Sequence, residues 1–145
     1  FFPLICITTF IVSSFIFVFC CVEPPEYEDG LLLNIPAIVN EPDFFSFSLE
    51  AQDYAKSHSW ALLFSGENTD TLYTSVVIKN YSASNNDSTY MRLFNTNNAA
   101  IFDILVNTEL TTIESIPLEY IGNPSRLEFI ADDFSGLINL QLIKQ

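Results

Sequence analysis

Alternation of apolar and polar residues from Leu31 onward constrains the fold of this chain more than any other feature. Phe45, Phe47 and Leu49 are separated by serines, and this period of two places successive side chains on opposite faces of a strand. The same spacing recurs in four further segments: Trp60-Leu62-Phe64, Leu72-Thr74-Val76-Ile78, Leu127-Phe129-Ala131 and Ile138-Leu140-Leu142. The pattern predicts β-strands that bury one face.

Polar turn sequences separate these segments. Clusters of Ser, Asn, Asp and Gly, which favour turns, lie at 65–70, 82–88, 95–98, 122–125 and 132–136. About nine short strands at this spacing predict an all-β fold, a single antiparallel β-sandwich over residues 31–145. Both a jelly-roll and an immunoglobulin-like arrangement fit the pattern. Residues 50–58 tolerate a helix, and there we predict a loop with at most one helical turn.

The first 21 residues form an uncharged and almost wholly apolar run. A helix of this length can cross a bilayer, because the hydrocarbon core is about 30 Å thick and a helix rises about 1.5 Å per residue. Pro3 and the many Phe, Ile, Val and Thr residues disfavour a packed helix. We therefore interpret residues 1–21 as a signal peptide, with an uncleaved membrane anchor or plain secretion as the alternatives.

The end of this run, Val18-Phe19-Cys20-Cys21, resembles the processing site of a bacterial lipoprotein precursor. In that family the cysteine after the apolar segment is acylated and becomes the first mature residue. The resemblance implies that Cys21 is the lipidation site and that the protein is extracytoplasmic, anchored to a membrane or at the cell surface. Residues 22–30 contain two prolines and four acidic residues, which predicts an extended linker.

Charge restricts the classes of partner that the chain can bind, and cysteine content restricts how the β-domain is stabilised. Eighteen acidic residues against five Lys and Arg give a net charge of -13, which disfavours nucleic-acid binding because phosphates are neutralised by basic side chains. The same charge repels an anionic bilayer, so we expect membrane contact through the lipid or the apolar segment. All three cysteines precede residue 22, so the β-domain has no disulfide of its own and depends on its core.

Catalytic constellations are scarce in this sequence. His58 is the single histidine and no Gly-x-Ser-x-Gly turn is present, so we interpret His58 as a loop residue rather than a catalytic base. A glycosidase needs only two carboxylates, and Asp103, Glu119 and Glu128 lie in strand-like segments. Similar carboxylates occur on exposed strands of any acidic protein. We therefore predict no enzymatic activity, with a small glycosidase as the alternative.

Two acidic turns offer oxygen ligands to a hard cation. Residues 67–70 and 132–136 each combine carboxylates with other oxygen-bearing side chains, which is the chemistry that calcium prefers. Neither segment has EF-hand spacing, and ordinary turns have the same composition. We predict no cofactor, with structural calcium as the alternative.

Aromatic residues supply the candidate ligand-binding site. Sugar rings stack on exposed aromatic faces, and some lectin domains are jelly rolls. The candidates are Trp60, Tyr73 and Tyr90. Tyr73 and Tyr90 are expected on the strand faces opposite the apolar one, whereas Trp60 leads an apolar triplet and fits the core better.

Together these features predict an exported, lipid-anchored, non-catalytic module that binds a glycan or an envelope protein at the cell surface. The alternative is a structural subunit of a surface layer or filament, held by an uncleaved N-terminal apolar segment. An apolar leader joined to a β-domain suits either class. Processing of the N-terminus and the presence of regular polymers discriminate between them.

Overall fold

A computed structural model describes residues 30–82 and 88–145. The predicted signal or anchor segment, Cys21 and the linker up to residue 29 lie outside the described residues. Over the described part the chain forms nine strands and one short helix. In chain order these are β1 (Ala37–Asn40), β2 (Phe44–Tyr54), β3 (Ser57–Ala61), β4 (Thr71–Ser82), β5 (Tyr90–Asn95), β6 (Ala100–Leu105), β7 (Leu110–Pro117), α1 (Leu118–Ile121), β8 (Pro124–Ile130) and β9 (Phe134–Lys144).

The strands form two sheets in which every paired strand is antiparallel to its neighbour. The five-stranded sheet has the order β1-β2-β9-β4-β7, and the four-stranded sheet has the order β3-β8-β5-β6. Successive strands β2 and β3 lie in different sheets, as do β3 and β4. The prediction of an all-β, antiparallel fold is confirmed.

One hydrophobic core lies between the two sheets. The ring of Phe47 on β2 is 5.0 Å from the ring of Phe129 on β8 and 5.0 Å from that of Trp60 on β3, measured between centroids. The apolar positions of the alternating segments supply most of this core. At most 1% exposed are Phe45, Phe47, Leu49, Leu72, Val76, Ile78, Leu127, Phe129, Ile138, Leu140 and Leu142.

Three segments differ from the sequence prediction. Leu62 and Phe64, predicted as part of a strand with Trp60, lie beyond the end of β3 at Ala61. Residues 50–58, predicted as a loop, contain the end of β2, a two-residue connection and the start of β3. Pairing of β2 with β9 continues as far as Tyr54, so the sheet satisfies backbone groups that a loop would leave to water. Glu119, predicted in a strand-like segment, lies in α1. That helix follows Pro117, where β7 ends, and buries Leu118.

The central strand β9 has a bulged neighbour on each side at one end. The register shifts between Ala51 and Tyr54 on β2 and between Lys79 and Ser82 on β4. Gly136 of β9 lies at this point with φ +141°, and a Cβ atom there would come 2.9 Å from the carbonyl oxygen of Lys79. The close approach of the two backbones therefore requires glycine.

Candidate functional site

The outer face of the five-stranded sheet is uncharged across its central rows. Strand register assigns to this surface Ala37, Val39, Phe44, Ser46, Ser48, Tyr73, Ser75, Val77, Thr111, Ile113, Ser115, Asn139, Gln141 and Ile143. We name this surface the uncharged face. The next row of the same outer surface contains Glu50 and Lys79, so the lack of charge is confined to the rows that form the uncharged face, in a chain of net charge -13.

An apolar strip crosses the uncharged face. Ile143 of β9 lies opposite Tyr73 of β4 on one side and Phe44 of β2 on the other. Tyr73 is 36% exposed, and its two neighbours are half-buried. Since adjacent strands are about 4.8 Å apart, the three side chains form a continuous strip about 10 Å across.

Neutral polar side chains lie beside this strip. The next row consists of Ser46, Gln141 and Ser75, about 7 Å away, because a strand rises about 3.4 Å per residue. Ser48 and Asn139 lie one row further on. Hydroxyl and amide groups both donate and accept hydrogen bonds. The face thus combines an apolar platform with neutral hydrogen-bonding groups.

The uncharged face ends in a surface cavity of about 470 Å³ at the two bulges. Its wall includes Glu50, Gln52, Lys79, Asn80 and Leu137. The volume lies within the range of about 300–1,000 Å³ that is typical of ligand pockets. Bulges often adjoin functional sites because they redirect side chains. Charged groups therefore meet the uncharged face at this end, where they border the cavity.

The outer face of the four-stranded sheet has a different chemistry. It carries two ion pairs on two adjacent rows: Arg92 Nε donates to Asp103 Oδ2 at 2.8 Å, and Arg126 Nε lies 3.1 Å from Glu128 Oε1. The hydrogen bond to Asp103 raises the pKa of Arg92. We name this surface the charged face. Its basic and acidic side chains neutralise each other within the domain.

Aromatic rings on the charged face are covered by these arginines. The guanidinium of Arg92 lies 5.2 Å from the ring centroid of Tyr90, and that of Arg126 lies 4.3 Å from the centroid of Phe94. Both distances fit cation–π contacts. Intramolecular contacts therefore occupy the ring faces that a sugar would need.

Trp60 lies on the inner face of the edge strand β3, since it pairs with the buried Leu127. Its ring stacks on His58 at 5.2 Å with an interplanar angle of 5°. The hydroxyl of Tyr54 is 2.6 Å from His58 Nε2. Burial lowers the pKa of His58, and the charge of Lys56 lowers it further. Burial also raises the pKa of Tyr54. These rings pack together as an extension of the core.

The three aromatic candidates do not form one site. Tyr73 lies on the uncharged face, Tyr90 on the charged face and Trp60 on the inner face. Phe44 and Gln141 join Tyr73 on the uncharged face although no sequence motif marks them. The signal that could have found them is the row of Ser, Asn and Gln residues at outward positions of apolar strands in an acidic chain.

The three carboxylates considered for catalysis lie in different surroundings. Asp103 and Glu128 are paired with arginines on the charged face, and Glu119 is exposed on α1. The contacts of Asp103 and Glu128 with arginines within the protein suit a structural role. No step of glycoside hydrolysis follows from this arrangement.

Carboxylates considered for calcium make local contacts. Asp70 Oδ2 accepts the Glu67 backbone N–H at 2.8 Å and lies 4.0 Å from Lys144 Nζ. Asp132 Oδ2 accepts the hydroxyl of Ser88 at 3.0 Å. Across residues 30–82 and 88–145, no three His, Cys, Asp or Glu side chains are grouped to hold a metal ion. The expectation of no cofactor, with structural calcium as the alternative, stays a prediction.

No family model, curated protein or solved structure matches this chain. Within the part of the chain that the structure describes, no helix is long and apolar enough to cross a bilayer. The function must therefore be argued from the chemistry of the surfaces.

Proposed function

We propose that this protein is a lipid-anchored, extracytoplasmic binding module that takes a neutral polysaccharide on its uncharged face. The observation that carries the proposal is the lack of charge on that face in a chain of net charge -13. A neutral sugar offers an apolar ring face and a rim of hydroxyl groups. The strip at Tyr73 suits the ring face, and the row at Gln141 suits the hydroxyl groups.

We further infer that the domain is a jelly roll rather than an immunoglobulin-like sandwich. Strands β2-β9-β4-β7 and β3-β8-β5-β6 give eight strands in two sheets, as in a jelly roll. Strand β1 extends the first sheet by one. An immunoglobulin-like sandwich instead keeps its last two strands in one sheet, whereas here β8 and β9 lie in different sheets. Some lectins are jelly rolls, but the fold alone does not assign the ligand.

The anchor part of the proposal depends on the segment that ends at Cys21. Intact mass spectrometry of the membrane-extracted protein tests it. We expect a mature chain that starts at Cys21 with added acyl mass, and loss of that mass in a Cys21→Ala variant. An unprocessed N-terminus together with regular polymers in electron micrographs would instead favour the structural-subunit alternative.

Isothermal titration calorimetry of the full chain against a panel of neutral polysaccharides tests the ligand class. We expect Tyr73→Ala to weaken binding at least tenfold, because burying an aromatic side chain contributes about 1.5–3 kcal/mol. Tyr120→Ala is the matched control, since Tyr120 is 76% exposed and lies on α1, outside the strands that form the uncharged face.

Two results would contradict the ligand class. One is a folded protein that binds no member of the panel, and the other is equal binding by the Tyr73→Ala and Tyr120→Ala variants. Binding of an anionic polysaccharide alone would also count against the proposal. If the chain binds no polysaccharide but recovers an envelope protein, the result would favour an envelope protein as the ligand.

A further inference from the structure

The two sheets leave four edge strands among the described residues, namely β1 and β7 in one sheet and β3 and β6 in the other. An edge strand presents backbone N–H and C=O groups that a second strand can pair with. Strand β7 is the longest of the four, with eight residues against four in β1, five in β3 and six in β6. Length makes β7 the strongest template for pairing.

Strand β7 lacks the bulges and the short length that protect an edge, and the protective feature in its middle is the inward-pointing charge of Glu114, which lies opposite Thr74. Its register with β4 is continuous from Leu110 to Pro117, whereas the pairing of β5 with β6 shifts between Leu93 and Phe94. Bulges and short strands discourage edge-to-edge pairing. Proline also discourages it, but the proline of β7 is its last residue.

An exposed apolar side chain lies near the middle of this edge strand. Ile113 is 76% exposed on the uncharged face. Its neighbours along the same side of the strand, Thr111 and Ser115, are small and uncharged. An apolar residue in the middle of a long, regular edge is a feature that a partner strand would cover.

We propose that β7 pairs with β7 of a second copy of this chain, antiparallel, about a two-fold axis at Ile113. The pairing joins two five-stranded sheets into one sheet of ten strands. A two-fold interface uses the same surface on both copies, so the strand must be complementary to itself.

The sequence of β7 meets this requirement. With the axis at Ile113, each cross-strand pair over residues 110–116 is either apolar with apolar or polar with polar, and no two like charges are directly opposed, although the two copies of Glu114 are diagonal neighbours. The pairs are Ile113 with Ile113, Thr111 with Ser115, Thr112 with Glu114 and Leu110 with Ile116.

Glu114 selects this register over its neighbours. An axis at Glu114 would set two carboxylates opposite each other, and an axis at Thr112 would set Glu114 opposite Leu110. Both pairings are unfavourable. An axis between two residues would pair outward with inward side chains and set the core-facing sides of the two sheets in opposite directions.

The inference is independent of the polysaccharide proposal, because its test needs no ligand. If both hold, the dimer presents two uncharged faces side by side. A single polysaccharide that reaches both would then bind more tightly through the effective concentration of the second site.

Disulfide trapping in the full chain, purified in mild detergent, tests the register. Paired residues have Cα atoms about 4.5–5.5 Å apart, within the range that a disulfide spans. We expect Ile113→Cys to give a disulfide between residue 113 of one copy and residue 113 of the other. Peptide mapping by mass spectrometry distinguishes it from disulfides of the native cysteines at positions 6, 20 and 21.

A second pair of variants serves as the matched control. Thr111→Cys alone should give no such link, because the two copies of residue 111 are four positions apart in this register, about 13 Å. Adding Ser115→Cys to it should restore cross-linking, now between residues 111 and 115. Absence of the 113–113 disulfide, or equal cross-linking by Thr111→Cys alone, would overturn the proposal.

Sedimentation of the same full chain over a range of concentrations tests the interface without cysteines. Ile113→Lys sets two like charges at the axis, so we expect its dimer dissociation constant to rise at least tenfold. Leu63→Lys, at a site that is 62% exposed after the end of β3, should leave it unchanged. Equal self-association by the native chain and a folded Ile113→Lys variant would overturn the proposal.

Discussion

The uncharged face and the charged face are the two outer surfaces of one small domain, yet they satisfy their polar groups in different ways. On the charged face, Arg92 and Arg126 pair with carboxylates and cover aromatic rings. On the uncharged face, Ser46, Gln141 and Ser75 form a row with no charged neighbour across the strands.

The position of charge, more than its amount, distinguishes the two faces. A charged side chain that meets its counterion within the protein is already compensated, and breaking such a solvent-exposed pair costs at most about 1 kcal/mol. Neutral hydroxyl and amide groups can exchange water for the hydroxyl groups of a sugar at little cost. The uncharged face is therefore the surface better suited to a neutral ligand.

The largest effect we expect comes from the core that both faces share. Phe129→Ala removes a ring that contacts Phe47 and Tyr54 of the opposite sheet and Phe134, and it should lower the free energy of unfolding by about 3–5 kcal/mol. Urea denaturation monitored by Trp60 fluorescence and by circular dichroism should show one shifted transition. Two separate transitions would indicate that the faces are not parts of one cooperative unit.

A smaller loss of stability should follow from a change at the bulges, where the uncharged face ends. Gly136→Ala introduces a Cβ atom 2.9 Å from the carbonyl oxygen of Lys79 at a backbone φ of +141°. We expect a loss of about 1–3 kcal/mol or more in the free energy of unfolding, measured by urea denaturation. The charged face should keep its structure in this variant, since Gly136 lies in the other sheet.

Gly30→Ala provides the control for this change. Gly30 has φ +75°, but no atom lies within 4 Å of the position of its Cβ. The difference between the two variants therefore reports the steric contact at the bulge together with the more restricted backbone conformation at φ +141°. Equal losses in both would show that the close approach of β4 to β9 contributes nothing.

A still smaller effect should distinguish the two faces by their response to salt. Arg126→Met removes the ion pair with Glu128 and the cation–π contact with Phe94, and we expect a loss of about 0.5–1 kcal/mol. Gln141→Met makes a comparable change on the uncharged face, with a loss below about 0.5 kcal/mol. The loss in Arg126→Met should shrink in 1 M NaCl, whereas Gln141→Met should show no salt dependence. If salt changed the stability loss of both variants by the same amount, the proposed contrast between the two faces would be wrong.

The cluster of Tyr54, His58 and Trp60 should make the free energy of unfolding depend on pH. Because burial lowers the pKa of His58, the unfolded chain takes up a proton before the folded chain does, and this group lowers stability as the pH falls below about 6.5. His58→Gln should remove that component, measured as the shift of the urea midpoint between pH 7.5 and pH 5.5. A variant with the same shift as the native chain would show that other groups carry the acid response.

The free energy of unfolding should also decrease at alkaline pH, through Tyr54. Burial raises the pKa of Tyr54, so above about pH 10 the unfolded chain loses a proton that the folded chain keeps. Stability should therefore fall as the pH rises beyond that value. Tyr54→Phe should reduce this alkaline loss, although it also removes the hydrogen bond to His58.

Sequence periodicity predicted the core side of the strands well, and it did so for a local reason. Leu72, Val76 and Ile138 alternate with polar residues, and a strand with one buried face requires that spacing wherever it lies in the sheet. The segment at residues 50–58 was predicted wrongly because its residues have no strong preference, and only pairing with β9 extends β2 to Tyr54.

The candidate site was less accessible to sequence reasoning. Tyr73, Tyr90 and Trp60 are equivalent as aromatic residues in alternating segments. Their separation onto three different surfaces depends on which strands pair and which sheet each strand joins. The covering of Tyr90 by Arg92 depends in addition on the cross-strand pairing of Arg92 with Asp103.

The sequence by itself determined the all-β class and the inward and outward sides of the main strands, because these follow from the order of residues along one strand. It also determined a net charge of -13. Only the tertiary structure decided that Tyr73, Gln141 and Phe44, distant in sequence, share one surface without a carboxylate among them. Neighbours across a sheet come from pairing between strands, and the free energy of that pairing depends on the whole core rather than on any single segment.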